Sequence, residues 1–226
     1  MNITTVEPVG FCPGVKRAFE LALQVLRERK TPVYLLGDLV HNRHAVEKLK
    51  EEGIKFAENP EEIPPCSTVI TRSHGVEKAI LQRLKERNAV IIDTTCPRVR
   101  KARDLAQSLE RSGYVLLILG NQNHPEIQSL LSFLESRAMV FKTEEEWSSF
   151  DFSPLQGKRI AVLAQTTFPR VLFEAFLRWK QERWPKLHME IFNTLCSETE
   201  TRQMNLTTKI RENQFTTVVV VGGQKS

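Results

Sequence analysis

The 226 residues contain no C-x-x-C pair, no apolar run approaching the roughly 20 residues that span a bilayer, and no G-x-G-x-x-G or Walker glycine loop. The second absence argues against a membrane-spanning helix, and the third against the common nucleotide sites. The four cysteines, Cys12, Cys66, Cys96 and Cys196, stand too far apart to suggest a disulfide framework. The opening stretch, Met1-Asn2-Ile3-Thr4-Thr5-Val6, lacks the charged-then-apolar plan of a signal peptide, so the expected location is the cytoplasm. An arginine-rich tail, an aromatic–basic ladder and zinc-finger spacing are also missing. A net charge of +5 and a pI near 9.1 permit an acidic protein partner, a phosphorylated substrate or nucleic acid, but on charge alone an ordinary charged surface is the simpler reading, and no nucleic-acid or membrane partner is expected. With 41% hydrophobic and 26% charged residues, what is present is an ordinary globular composition.

The most informative stretch is Asp93-Thr94-Thr95-Cys96-Pro97-Arg98-Val99-Arg100-Lys101-Ala102-Arg103. The apolar run Ala89-Val90-Ile91-Ile92 enters it as an expected buried strand, and a helical pattern with Leu105 and Leu109 leaves it. Cys96 thus falls where a strand hands over to a helix, facing the unpaired N–H groups of the first turn, and Pro97 suits that turn. A lone cysteine there is more often a buried hydrophobe than a metal ligand. Repetition favours the ligand. The same unit occurs as Gly10-Phe11-Cys12-Pro13-Gly14-Val15 and as Phe192-Asn193-Thr194-Leu195-Cys196-Ser197.

Reading along the chain, strands are expected at 6–9, 32–36, 54–56, 67–71, 114–119, 139–141, 158–164, 188–192 and 216–221. Helices are expected at 15–29, 44–52, from Cys96 to about residue 111, 127–136 and 199–212, with Gly53 and Gly113 as stops. The acidic stretch Glu144-Glu145-Glu146 reads as a solvated face. From each cysteine to the glycine closing the next strand the offset is 25, 24 and 26 residues, ending at Gly37, Gly120 and Gly222. To the polar residue beyond, the offsets are 29, 28 and 30, ending at His41, His124 and Ser226. An internal repeat follows.

The expected fold is α/β, with three pseudo-threefold-related α/β units (1–93, 94–192 and 193–226) of mostly parallel sheets around a central cluster cavity. The third unit is read as incomplete, as in a C-terminal truncation lacking a third strand and its helix.

Three such cysteines suit zinc or an iron–sulfur cluster, since both favour thiolates. A structural zinc would add a fourth protein ligand, whereas a cubane on three cysteines leaves one iron open. Ligands gather at the carboxyl ends of parallel strands. There the sequence places His41, His74, His124, Glu126, Thr166, Thr167 and Ser226. Histidines and hydroxyls suit a phosphate or diphosphate, and Glu126, the only carboxylate of the set, is the expected proton donor. Cys66 stands outside the repeat and reads as a buried structural thiol.

These motifs resemble the 4-hydroxy-3-methylbut-2-enyl diphosphate reductase family. The resemblance rests on Gly10-Phe11-Cys12-x-Gly14-Val15, Leu39-Val40-His41-Asn42-Arg43-His44, Ser73-His74-Gly75 and Asp93-x-Thr95-Cys96-Pro97. It continues in His124-Pro125-Glu126, Gln165-Thr166-Thr167, Asn193-Thr194-x-Cys196 with Arg202-Gln203, and Val221-Gly222-Gly223-x-x-Ser226. It implies a [4Fe-4S] cluster on Cys12, Cys96 and Cys196, with His41, His74, His124, Thr166 and Ser226 holding the diphosphate. It also implies a proton relay through Glu126 assisted by Thr167, and electrons from ferredoxin or flavodoxin. The products would be isopentenyl and dimethylallyl diphosphate. Pro13, Ser129 and Glu198 depart from the family pattern, and Glu198 is expected to face away from the cluster. The rival readings are a zinc protein binding nucleic acid through Arg98, Arg100, Lys101 and Arg103, and an incomplete, inactive copy. That basic run is more simply a solvated helix face or a dock for an acidic electron donor.

Overall fold

The computed structural model describes residues 3–29, 31–40, 42–213 and 215–221. Eight helices and eight strands alternate among them. The first half runs α1 (Pro13–Glu28), β1 (Val33–Leu36), α2 (Arg43–Glu51), β2 (Lys55–Ala57), β3 (Thr68–Ile70), α3 (Lys78–Glu86) and β4 (Val90–Ile92). The second runs α4 (Pro97–Arg111), β5 (Val115–Leu119), α5 (Pro125–Ser132), β6 (Met139–Phe141), α6 (Glu144–Ser148), β7 (Ile160–Ala164), α7 (Arg170–Arg183) and β8 (Met189–Ile191). Then follows α8 (Ser197–Glu212).

Every strand pairing among these elements is parallel. The strands form two four-stranded sheets of the same plan, β2-β1-β3-β4 and β6-β5-β7-β8. Parallel neighbours need long crossovers, mostly supplied here by helices. The α/β expectation with parallel sheets holds, and the second sheet repeats the first strand for strand.

Packing divides the chain into two compact units. The first comprises the described parts of Met1–His74, Gln82–Cys96 and Cys196–Ser226, and the second Gly75–Leu81 and Pro97–Leu195. The division at residues 93 and 192 stays a proposal drawn from the repeat.

In the first unit, α1 turns Ala18, Ala22 and Val25 inward, the spacing of one helical face. They pack with Val33, Leu35, Leu39, Leu49, Ile54 and Ile70 in an aliphatic core. Asn42 caps α2, its side chain accepting the Ala45 N–H at 3.0 Å. Gly53 ends the same helix at φ 101°, where a side chain would be strained. In the second unit, β5 and β7 alternate. Leu117, Leu119, Ile160, Val162 and Ala164 face Trp147, Phe152 and Phe176, whereas Leu116, Ile118, Ala161 and Leu163 face Ala106, Leu109 and Ile127.

Several expectations fail. The stretches 6–9 and 216–221 form no strand, and Val219, Val220 and Val221 are 79%, 80% and 93% exposed. β-branched residues favour a strand only where a neighbour can pair with them. β4 is an edge strand instead of a buried one, with Val90 42% exposed. Helices α3 and α7 cover stretches the sequence reading left unassigned. The acidic stretch is exposed, as the solvated-face reading expects, but it also opens α6, where Thr143 and Glu146 form a capping box. Of the basic run, Arg98 and Lys101 are exposed, but Arg103 is folded over the Phe133 ring at 4.4 Å. No helix among the described residues is long and apolar enough to cross a membrane.

Candidate active site

Three helices begin directly after a cysteine. Cys12 is the N-cap of α1, Cys196 the N-cap of α8, and Cys96 immediately precedes Pro97 of α4. All three belong to the first unit, carry free thiols and are half-buried. Cys66 is also free but exposed, contrary to the buried thiol expected. It sits in a left-handed turn (φ 61°) ahead of β3, where its N–H reaches the Arg87 carbonyl at 3.0 Å.

Two of the three cysteines are seated alike. Ahead of Cys96, the Thr95 N–H donates to Asp93 Oδ1 at 2.8 Å, and the Thr94 hydroxyl donates to the Thr71 carbonyl just beyond β3. Ahead of Cys196, the Leu195 N–H donates to Asn193 Oδ1 at 3.0 Å, and the Thr194 hydroxyl donates to the Ala164 carbonyl at the end of β7 at 2.5 Å. In each, an Asx turn and a threonine bolt the loop to the neighbouring strand end. The Cys96 N–H also donates to the carbonyl of Ser73, the residue before His74, at 2.9 Å.

Gly14 marks where two of the sulfurs approach. A Cβ there would lie 2.7 Å from Cys96 Sγ and 4.0 Å from Cys12 Sγ. Only a glycine leaves the Cys96 sulfur its place over the first turn of α1. No three His, Cys, Asp or Glu side chains among the described residues converge on one ion. A single zinc needs thiolates about 2.3 Å from one point, whereas a cubane spreads its cysteines over separate irons. The donor set of soft thiols and the notch at Gly14 fit such a cluster. His41 and Ser226 lie outside the described residues. Glu198, half-exposed, occupies the first turn of α8.

In the second unit, polar residues collect at the carboxyl ends of β5 and β7. His124 caps α5, its Nδ1 accepting the Glu126 N–H at 3.1 Å, so the neutral ring carries its proton on Nε2. Glu126 is 2% exposed, and its two carboxyl oxygens accept the Thr166 N–H at 2.6 Å and the Thr166 hydroxyl at 2.8 Å. Burial pushes its pKa up, and the two Thr166 bonds partly oppose the shift. The result is a shielded carboxyl that holds a proton more tightly than an exposed one.

The hydroxyl that meets Glu126 belongs to Thr166. Thr167 is exposed, and its Oγ1 accepts Gln165 Nε2 at 2.9 Å. The two threonines are the central residues of a turn closed by the Phe168 N–H on the Gln165 carbonyl at 2.9 Å, in which Thr166 is buried and Thr167 exposed. Gln165 was not among the expected site residues. Its Oε1 also accepts the Asn121 N–H at 3.0 Å, and a Cβ on Gly120 would lie 2.9 Å from its own Cβ. The signal was an amide at a strand end, next to two hydroxyls. Ser129 is accounted for too: buried in α5, it donates to the Val76 carbonyl at 2.9 Å.

Fold and site together define a parallel α/β protein with three half-buried free thiols at helix starts in one unit and a shielded carboxyl in the other. The sequence model of the LytB protein family matches residues 3–226. A 4-hydroxy-3-methylbut-2-enyl diphosphate reductase of Clostridioides difficile (strain 630) is 34% identical over 227 residues, covering 100% of this chain and 79% of the relative. One from Aquifex aeolicus (strain VF5) is 33% identical over 234 residues, covering 100% and 76%. The solved E-1-hydroxy-2-methyl-but-2-enyl-4-diphosphate reductase of Plasmodium falciparum superposes with a TM-score of 0.83 at 26% identity, over 91% of this chain and 64% of that one. A second solved reductase, described as the terminal enzyme of the non-mevalonate pathway, gives 0.77 at 33% identity, over 93% and 73%. The chain belongs to the LytB protein family.

Proposed function

We propose that this protein is a 4-hydroxy-3-methylbut-2-enyl diphosphate reductase, removing the substrate hydroxyl as water to give isopentenyl and dimethylallyl diphosphate. The observation that carries the proposal is the set of three free cysteines at helix starts within one unit, two of them flanking the Gly14 notch. When bound, a [4Fe-4S] cluster on Cys12, Cys96 and Cys196 would supply one-electron chemistry and an iron without a protein ligand.

The remaining roles fall to side chains. His124, with its proton on Nε2, donates to a diphosphate oxygen, and His74 takes a like role. The same part is assigned to His41 and Ser226 on the family resemblance alone. Glu126 gives its proton to the departing hydroxyl, so the C–O bond breaks with water as leaving group. Two electrons and a further proton complete the product. Burial favours the protonated acid that this step needs. The relay hydroxyl beside Glu126 we place on Thr166, which bonds to it, in preference to Thr167.

Ferredoxin or flavodoxin is the proposed electron donor. The cytoplasm is the proposed location, since free thiols on a cluster site call for a reducing compartment.

Anaerobic purification tests the reading. A brown protein with near-stoichiometric iron and labile sulfide, both lost in Cys96→Ser, is expected; stoichiometric zinc without sulfide overturns it. Turnover should fall by about 10²–10⁴-fold in Glu126→Gln while the iron and sulfide stay.

A further inference from the structure

The three cysteines are not held in the same way. Cys96 and Cys196 each follow a strand, an Asx turn and a threonine bolted to the neighbouring strand end. Cys12 follows none of these, because the stretch before it is not a strand. Its approach is held from the far end of the sequence. Arg202 Nη1 of α8 donates to the Pro8 carbonyl at 2.9 Å, and Asn205 Nδ2 of α8 donates to the Glu7 carbonyl at 2.8 Å. The two donors stand three residues apart, on one face of the helix, and take two consecutive carbonyls. A segment without a partner strand would otherwise leave those carbonyls to water. Arg202 Nη2 is buried without a hydrogen-bond partner among the described residues. Carrying a buried guanidinium nitrogen in that state has a cost, which points to a purpose other than local stability.

We infer that Arg202 and Asn205 form a clamp that positions Cys12, replacing for the first cysteine the strand-and-turn seat that the other two have. The helix that Cys196 opens thereby also fixes the approach to Cys12, so the first and third thiols are set by one element. Arg202 and Asn205 are positioning residues, not ligands. The inference rests on the cluster reading for its purpose, but the clamp can be measured without any metal.

The experiment compares thiol alkylation in the metal-free chain, resolved by residue with mass spectrometry, in wild type, Arg202→Met, Arg202→Lys and Asn205→Ala. Exposed Cys66 is the internal control and Thr207→Ala, on the same helix, the control variant. Arg202→Met should raise the Cys12 rate at least about fivefold with Cys66 and Cys96 unchanged. Arg202→Lys should restore most of the wild-type rate, because an ammonium can still reach a single carbonyl. Asn205→Ala should give a smaller rise at Cys12 alone. Equal Cys12 rates in wild type, Arg202→Met and Asn205→Ala overturn the clamp. If Arg202→Met speeds all cysteines together, the fold has loosened, and Asn205→Ala decides through its effect on Cys12 against Cys96.

In the reconstituted protein, iron and sulfide should leave Arg202→Met faster under a chelator than they leave Thr207→Ala. If wild type takes up neither iron nor sulfide, the cluster reading fails while the alkylation result stands by itself.

Discussion

The two sheets share one strand order and little else. In the second unit β5 and β7 run five residues each, and β7 is buried along its whole length, under a core that contains Trp147, Phe152, Phe173 and Phe176. In the first unit no strand exceeds four residues, and the buried core is aliphatic. The corner where the strands begin differs as well. Tyr114 and His188 both meet Glu190, at 2.5 and 3.1 Å, and Arg159 lies over the Tyr114 ring at 4.0 Å, joining three strands of the second sheet. The first sheet has one hydroxyl pair, Thr31 with Thr68 at 2.9 Å. A repeated plan has thus been put to two uses. The second unit is stabilised by its own core and carries the acid. The first carries the thiols, and metal binding would supply part of the stability its core does not.

The sharpest way to break that contrast is Gly14→Ala. Its Cβ would collide with the Cys96 sulfur, so iron and sulfide loading should be almost abolished. Because Gly14 lies within α1, alanine should raise helix propensity by up to about 1 kcal/mol. The metal-free variant should therefore melt no lower than wild type. Full loading, read by iron analysis, would show that the notch is not needed.

Removing the cluster from wild type comes next in size. Hydrogen exchange should speed up in β1, β3 and α1 by at least about tenfold, and stay unchanged in β5 and β7. The converse is Phe176→Ala, which empties the second core and should cost about 3–5 kcal/mol in chemical denaturation. Its effect on exchange should be confined to the second unit.

The smallest expected effect concerns pH. A carboxyl whose pKa is raised in the folded state stabilises the fold most below the ordinary carboxylate range, and that contribution is lost as pH rises through its folded value. Glu126→Gln removes this loss. Its Tm should match wild type near pH 4 and exceed it at pH 8, the gap opening as pH rises. A Tm below wild type at pH 8 would mean that burial does not dominate at Glu126.

Much of this was legible in the residues. The cysteine–helix–strand spacing announced the repeat, and the glycines at 53 and 113 placed two helix ends where φ is 101° and 81°. What could not be read was pairing. Val218-Val219-Val220-Val221 has the composition of a strand, but strand formation depends on a neighbour that composition does not reveal. The distinction between Thr166 and Thr167 needed the side chains' directions, which are set by the turn that the two residues occupy after β7. The bonds from Arg202 and Asn205 span 194 and 198 residues, beyond the reach of any local pattern.

That span bears on how the protein is made. The second unit draws on residues 75–81 and 97–195, a stretch that leaves the ribosome nearly intact and can fold as it emerges. The first unit cannot close until α8 has been synthesised. Between Cys96 and Cys196 lie 100 positions, or roughly 5–20 s of translation at about 5–20 residues per second. For that interval the nascent chain displays two of the three proposed ligand thiols, Cys12 and Cys96, without the third. If the proposed cluster binds all three thiols, its delivery has to follow the synthesis of α8.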